Sequence, residues 1–488
     1  MVYRPITGVW EITMGNNVRG GHYGSFYSDP LPDELTTAEA FDLIEQIAYL
    51  GLRYVTLSGG EPLTRRDWAQ LVNYLTRRGV SVNLITNGWA VTEEVAKQMK
   101  NCNISTVVVR VDGTREVHDR ILRPGVYDRV EQAFRILRQH DIDTRAITTL
   151  SVENKDILPQ MKDELIRMGV SSWQLSLGLP TEMMGGRRED WMLNPSQMDD
   201  ILRFCTETNN EGNIEVYPAN CLDCHSRNRF GKRFSSAGCE AGTGGLGFLY
   251  NGDIVSCVSI KDRNYIEGNI RERDLQSIWE DESKFLWRRE MTNEKLSGDC
   301  QVCQYGSECL GGCPNTRLVI GRNLYGENPY CSHNFAVKTE RKRISELNDA
   351  TELMASAKAL IEEHKYQKAT MYLDRLIELR QDNPEAYRLK GFIEYQNGNY
   401  EQSEESMVQA LSLDPSDSHA TKVLGMAVFK QGKRTEGIRL VERSLQMGEA
   451  TAQEELKALK YEKENNRPYP RRQPLQQNRV EKELFVRF

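Results

Sequence analysis

Long apolar stretches and an excess of positive charge are both missing from this 488-residue sequence. No run of about 18 consecutive apolar residues occurs, which is the length that a helix needs to cross a bilayer. The opening segment, MVYRPITGVWEIT, lacks the basic and apolar regions of a secretory signal peptide. Lys and Arg total 63 and Asp and Glu total 70, and this net charge of -7 disfavours nucleic-acid binding. We therefore expect a cytoplasmic protein that binds neither a membrane nor a nucleic acid.

Signatures of several common catalytic sites are absent as well. The seven histidines show no H-E-x-x-H spacing, and there is no Walker P-loop and no G-x-G-x-x-G opening a helix. A Ser-His-Asp signature is not visible either. What the sequence does contain is 11 cysteines, seven of them between Cys239 and Cys331. In a reducing compartment, such clustered thiols indicate metal ligands before disulfides.

Short apolar runs alternate with amphipathic stretches from about residue 8 to residue 215. This βαβα rhythm predicts a parallel sheet with helices packed outside it. Six such units suit a partial (β/α)6 barrel over residues 1–215, in which functional residues follow the C-terminal ends of the strands. The predicted strands are GVWEIT, YVTLSG, VNLIT, STVVVRV, TRAITTL and WQLSLGL. Cys102 and Cys205 lie in apolar surroundings and are predicted to be core residues.

Residues 216–340 are predicted to form a small α+β segment that is rich in Gly, Asn and Cys. A segment of this size and composition needs metal sites or disulfides to stabilise it in place of a large core. Cys239 is followed by twelve residues, then Gly252, four residues and Cys257. Two, five and three residues then separate four further cysteines, and a last one closes the set: Cys300, Cys303, Cys309, Cys313 and Cys331. Thiolates at such separations converge on soft metal centres, and the spacing alone leaves both zinc and iron–sulfur clusters open.

A 34-residue repeat fills residues 341–460, with Ala350, Pro384 and Ser418 as equivalent first positions. Small residues recur in the same columns, which lets two helices of a hairpin approach closely. The pattern resembles the tetratricopeptide repeat (TPR) in about three copies, an all-α solenoid, with a plain helical bundle as the alternative. The remaining segment, residues 461–488, is rich in Pro, Arg and Gln and is predicted to be disordered.

The cysteine order, together with GFLYNGDIVSC, CQYGSECLGGCPNTR and NPYC, resembles the SPASM domain of radical-SAM enzymes that mature peptides and proteins. The resemblance implies two auxiliary [4Fe–4S] clusters. One would be held by Cys239, Cys257 and Cys313, and the second by Cys300, Cys303, Cys309 and Cys331. The first set lacks a fourth matched ligand. That position is either open or filled by another side chain, with Cys221 and Cys224 as candidates.

The barrel segment in turn resembles the radical-SAM barrel, without its cluster. In that family, WEIT is followed by two residues and then by C-x3-C-x2-C. Here the stretch WEITMGNNVRGGHYGS places Asn16, Gly20 and Tyr23 at the three cysteine positions, within matching flanks. These residues cannot replace three thiolates. Radical-SAM activity is therefore not expected from this chain alone, although the family is one of radical-SAM peptide maturases.

Other parts of the S-adenosylmethionine (SAM) pocket of that family are kept. SGGEP follows the second predicted strand, and by resemblance Gly59, Gly60, Glu61 and Pro62 are a remnant of the pocket. Two interpretations stay open: these residues only preserve the fold, or the chain still binds SAM. Loss of the iron chelate would weaken such binding, since metal coordination contributes much of the affinity.

Four functions follow from these patterns. The first is a non-catalytic partner that binds a protein or peptide through its TPR region and works beside a competent radical-SAM maturase. The second is an iron–sulfur subunit for electron transfer. The third is an enzyme that uses bound SAM without a radical, with Tyr23, His22 and Glu61 as the residues to mutate. The fourth is a scaffold in which clusters only stabilise the SPASM fold.

Overall fold

The computed structural model describes residues 3–18, 27–180, 191–219, 239–303 and 305–469. The chain divides into two compact units, Met1–Ala336 and Val337–Phe488. Among the described residues, none of the helices combines the length and the apolarity that a bilayer crossing requires.

A ten-stranded sheet runs through the described part of the first unit, in the order β10-β9-β8-β1-β2-β3-β4-β5-β6-β7. Strands β1 to β7 are parallel, β8 pairs in parallel with β1, and β9 and β10 continue the sheet in antiparallel pairs. The strands are β1 Thr7–Thr13, β2 Tyr54–Gly59, β3 Ser81–Thr86, β4 Thr106–Arg110, β5 Thr144–Leu150, β6 Ser172–Leu177, β7 Glu215–Pro218, β8 Gly245–Phe248, β9 Asp253–Val255 and β10 Ile266–Asn269.

Helices connect the parallel strands, and this confirms the predicted α/β barrel fold. Helix α1, Thr37–Leu50, shows how local signals set the boundaries. It begins at a capping box between Thr36 and Glu39 and ends at Gly51, which adopts a left-handed φ of 90°. The other barrel helices are α2 Trp68–Arg77, α3 Glu93–Asn101, α4 Arg115–Ile121, α5 Val126–Gln139, α6 Leu158–Arg167 and α7 Met198–Glu211.

The core of the first unit lies between this sheet and its helices. Trp10 on β1 and Trp173 on β6 are both fully buried. Cys102 and Cys205 belong to the same apolar cluster, with exposed fractions of 8% and 0%, which confirms that they are core residues. Helix α1 contributes Leu43, Ile44 and Ile47.

The cysteine-rich segment is continuous with the barrel sheet, because β8 extends it beyond β1. The seventh parallel strand, Glu215–Pro218, was not predicted; its four residues are too few to show an alternating pattern. Short helices complete the first unit: α8 Leu275–Glu280, α9 Leu286–Arg289, α10 Gly306–Cys309 and α11 Pro314–Gly321. Helix α12, Ser332–Ser345, follows the last cysteine.

Antiparallel helical hairpins make up the described part of the second unit. The helices are α13 Ala350–Glu362, α14 Tyr366–Leu379, α15 Pro384–Gln396, α16 Tyr400–Leu413, α17 Ser418–Lys430, α18 Arg434–Gln446 and α19 Ala452–Asn465. The first helices of the hairpins begin at the three positions that the repeat alignment predicts. Small residues do allow close contact, since a Cβ on Gly425 would lie 2.8 Å from the carbonyl oxygen of Gly437. The all-α repeat is therefore confirmed, while its assignment as TPR stays a prediction. The disorder predicted from residue 461 is wrong for the first residues of that segment, because α19 continues to Asn465. Residues 470–488 of the predicted tail lie outside the described residues.

Candidate cluster sites and the barrel mouth

One cavity in the first unit is lined by four thiols, which we call the four-thiol site: Cys300, Cys303, Cys309 and Cys331. The cavity holds about 240 Å³ of space, part of it open to solvent. Helix α10 carries Cys309, and a short 3-10 turn, Gly298–Cys300, ends at the first of the four. The structure thus brings together the cysteines that the sequence assigned to one of the two groups.

Asn334 holds two of these thiols by hydrogen bonds. Its side-chain Nδ2 donates to Sγ of Cys300 over 3.3 Å, and its main-chain N–H donates to Sγ of Cys331 over 3.4 Å. Burial raises the pKa of the Cys331 thiol to about 12 and also raises the pKa of Cys300 and of Cys303. Bare thiols here stay protonated, so thiolates form only when a cation replaces their protons.

The other three predicted ligands, Cys239, Cys257 and Cys313, form a second group that we call the three-thiol site. Cys239 and Cys257 pack against one small apolar cluster, and the thiol of Cys313 lies close enough to act electrostatically on both. Burial raises the pKa of Cys257 to about 11. Cys221 and Cys224, the candidates for a fourth ligand, lie outside the described residues.

Buried polar atoms without a hydrogen-bond partner gather in two segments beside these thiols. The donors among them are Nε1 of Trp287, Nε of Arg288, Oγ1 of Thr316, and Nε and Nη1 of Arg317. Buried donors are nearly always hydrogen-bonded, so this group indicates that acceptors are needed in the same space. The inorganic sulfides and thiolates of an iron–sulfur cluster are such acceptors.

The thiols line a space and do not converge on one point. Within the described ranges, no three His, Cys, Asp or Glu side chains are placed to hold a single metal ion.

At the C-terminal ends of β2 and β3, the barrel mouth is built around Glu61. This side chain is fully buried and accepts hydrogen bonds from Leu63 N over 3.1 Å, Thr86 Oγ1 over 2.9 Å and Asn87 N over 2.7 Å. Burial raises the pKa of Glu61 to about 7. The carboxylate is thus engaged by donors of the protein itself.

The two glycines before Glu61 let β2 and its loop lie directly against the chain that follows β1. A Cβ on Gly59, whose φ is +129°, would lie 2.1 Å from the carbonyl oxygen of Thr13. A Cβ on Gly60 would lie 2.3 Å from the carbonyl oxygen of Gly15. Pro62 then begins a 3-10 turn. Packing within the chain alone therefore requires Gly-Gly at these positions.

Asn16, at the first cysteine position of the family loop, is buried, and both the nitrogen and the oxygen of its side-chain amide form hydrogen bonds. Its Nδ2 donates to the carbonyl oxygen of Gly60 over 3.3 Å. Its Oδ1 accepts from Val18 N over 3.0 Å and from Asn87 Nδ2 over 3.3 Å. Gly20, Tyr23 and His22 lie outside the described residues.

Two features of the site were missed from the sequence. Lys261, in the cysteine-rich segment, places Nζ 2.5 and 2.6 Å from the carboxylate oxygens of Glu11 on β1. Arg317 lies beside the thiols and is only 1% exposed. The one available signal for Arg317 was its position one helical turn after Cys313.

Comparison with known families agrees with this architecture. The family model for the radical SAM superfamily matches residues 19–165, and the SPASM model, an iron–sulfur cluster-binding domain, matches residues 239–304. This chain carries a radical SAM domain followed by a SPASM domain. Iron–sulfur cluster binding, predicted from the cysteines, is the described property of the SPASM family.

This radical SAM/SPASM protein is similar to enzymes of two kinds. An AdoMet-dependent heme synthase from Methanosarcina barkeri is 28% identical over 66% of this chain and 95% of its own length. Mycofactocin maturase MftC from Mycobacterium tuberculosis is 28% identical over 67% of this chain and 83% of its own length. Among solved structures, Streptococcus suis SuiB bound to the precursor peptide SuiA has a TM-score of 0.57 at 16% identity, covering 67% of this chain and 76% of that one. This last likeness shows the fold.

Proposed function

We propose that this protein holds two [4Fe–4S] clusters in its SPASM domain and no cluster at the barrel mouth. It would then work in the cytoplasm as a non-catalytic, substrate-binding partner of a competent radical-SAM maturase. The four-thiol site would hold one cluster. The three-thiol site would hold the other, with its fourth position open or supplied by Cys221 or Cys224. When bound, such clusters supply one-electron redox chemistry.

The hydrogen bonds of Asn16 carry the proposal for the barrel. A radical-SAM cluster needs a thiolate where this amide stands, and here the amide joins the carbonyl of Gly60 to the side chain of Asn87. The sequence at Gly20 and Tyr23 also offers no sulfur. The substitution is therefore built into the local structure, and this supports the proposed loss of the cluster.

SAM binding is a separate question, and the structure supports the fold-preserving interpretation of SGGEP. Glu61 is buried and its oxygens accept three hydrogen bonds from the protein, while both glycines are required by backbone contacts. Any residual SAM binding would have to do without an iron chelate. We propose that it is weak.

Iron analysis with electron paramagnetic resonance (EPR) of the anaerobically purified chain tests this function. We expect about eight irons and eight sulfides per chain, and no change of the EPR signal on addition of SAM. About twelve irons, or production of 5′-deoxyadenosine from SAM by the reduced chain, would overturn it.

The substrate class is proposed from the relatives. MftC is named a maturase, and SuiB was solved with a precursor peptide, which supports a peptide or protein substrate. The helical repeat adds a surface suited to a peptide or a partner helix. Co-purification should then recover a radical-SAM maturase or its precursor peptide. A monomer that binds neither would contradict this assignment.

The heme synthase relatives favour a second candidate, a tetrapyrrole substrate. Titration of the cluster-loaded full chain with iron coproporphyrin III, followed by its Soret absorption, distinguishes the two. Saturable binding of the porphyrin without binding of precursor peptide would favour the second candidate. The electron-transfer alternative predicts instead that both clusters cycle reversibly with a partner enzyme.

A further inference from the structure

A buried cation connects the two thiol groups. Arg317 lies on helix α11, and its main-chain N–H donates to the carbonyl oxygen of Cys313 over 3.3 Å. Cys313 belongs to the three-thiol site and is the N-cap residue of α11. The backbone of Arg317 is therefore one turn from one set of predicted cluster ligands.

Its side chain reaches the other set. A Cβ added to Gly311 would lie 2.7 Å from Nη1 and 3.1 Å from Cζ of Arg317. Gly311 lines the cavity of the four-thiol site. The guanidinium consequently lies at the wall of that cavity, in space that a side chain at residue 311 would fill. Its charge acts on Cys300 and Cys309 of the four-thiol site and on Cys313 of the three-thiol site.

The charge of Arg317 is not paired with a carboxylate in the part of the chain that the structure describes. Arg317 is 1% exposed, and its Nε and Nη1 have no hydrogen-bond partner. None of the ion pairs found among residues 3–18, 27–180, 191–219, 239–303 and 305–469 includes it. The nearby Arg288 adds like charge. Since a buried cation without a partner is strongly unfavourable, the fold must provide an anion at this place.

We propose that Arg317 is the shared counter-charge of the two cluster sites and that it raises the reduction potential of both. This rests on the cluster assignment of the proposed function. A cluster held by thiolates is anionic, and reduction adds a further negative charge. A fixed cation in a water-poor site stabilises the reduced form more than the oxidised form. Arg317 is a positioning and tuning residue and is not expected to contact a substrate.

Potentiometric titration followed by EPR tests this on the full chain, reconstituted anaerobically with iron and sulfide. Arg317→Met removes the charge and keeps an unbranched chain, whereas Arg317→Lys keeps the charge. Arg322→Met, at the exposed end of the same helix, is the matched control. In Arg317→Met we expect the equilibrium constant for one-electron reduction to fall about tenfold at both clusters, which is about 59 mV. The Lys variant and the control should keep the wild-type potentials.

Iron content separates the two ways of failing. If the wild type binds no cluster, the proposed function itself is wrong. If the wild type binds about eight irons and both potentials stay unchanged in Arg317→Met, the function stands and the role of Arg317 is overturned. A shift at one cluster alone would overturn the shared role.

If Arg317→Met binds no cluster, its reduction potentials cannot be measured. Arg317→Lys then provides the test. Loading of Arg317→Lys with wild-type potentials would then support the charge as the essential property. Failure of the Lys variant as well would show that the shape of the side chain matters, and would overturn the proposal.

Discussion

The side-chain amide of Asn16 donates to the main-chain carbonyl of Gly60, so the first cysteine position of the radical-SAM loop is tied to the glycine turn after β2. Asn87, after β3, completes the connection through the oxygen of the same amide. Three strand ends are thus joined by polar contacts at the place where relatives would hold a cluster. Introducing cysteines at the three positions of this loop therefore tests directly whether the barrel mouth can hold a cluster.

The triple variant N16C/G20C/Y23C should regain a third cluster. It recreates C-x3-C-x2-C within flanks that already match the family, and three thiolates suffice to hold a [4Fe–4S] cluster with one free iron. Iron and sulfide analysis should rise from about eight to about twelve irons per chain. The double variant G20C/Y23C supplies only two thiolates and should stay at the wild-type value. Equal iron in the triple variant and the wild type would contradict the prediction.

Cysteine variants should remove the two SPASM clusters one at a time. Cys303→Ala belongs to the four-thiol site and Cys257→Ala to the three-thiol site, so each should lower the iron content by about four, and the double variant should bind almost none. Cys205→Ala, a core cysteine with an exposed fraction of 0%, controls for loss of a thiol. Loss of both clusters in each single variant would show that the two groups do not assemble independently.

Stability should depend on pH through Glu61. Its folded-state pKa of about 7 lies above the ordinary value of 4.5, so the folded state binds the proton more tightly than the unfolded state. The free energy of unfolding should therefore decrease as pH rises from about 4.5 to about 7, by about 3 kcal/mol at most. Glu61→Gln removes this dependence. In urea unfolding, the free energy of unfolding of Glu61→Gln should increase relative to that of the wild type on going from acid to neutral pH. A difference between the two proteins that does not change with pH would refute the assignment.

Gly60→Ala should destabilise the barrel strongly, because its Cβ would lie 2.3 Å from the carbonyl oxygen of Gly15 and 2.5 Å from that of Met14. Backbone atoms cannot move aside as a flexible side chain can, and we expect a loss of about 3 kcal/mol or more. Gly79→Ala is the matched control. It has a φ of +82° and no atom within 4 Å of the new Cβ, so only about 1 kcal/mol should be lost. Thermal unfolding of both variants measures the difference.

The sequence predicted the barrel because its strands are β-branched runs between amphipathic helices, and the predicted strands from GVWEIT to WQLSLGL are all present. The resemblance of the cysteine order to the SPASM domain also implied which thiols would gather. Strand β7 was missed since Glu215–Pro218 is too short for a pattern. The contacts of Asn16 with Gly60 and Asn87, and of Lys261 with Glu11, join residues far apart in the chain. Neither periodicity nor spacing encodes such pairs.

Strand β1 obtains its second neighbour from β8, more than two hundred residues later in the chain. During synthesis, one edge of the first strand therefore stays unpaired until residues Gly245–Phe248 have left the ribosome. A chain cut at residue 215 would carry that open edge permanently, and open edges recruit other strands. The barrel sheet is therefore incomplete without β8, because its first strand obtains its second partner from a segment that is synthesised much later.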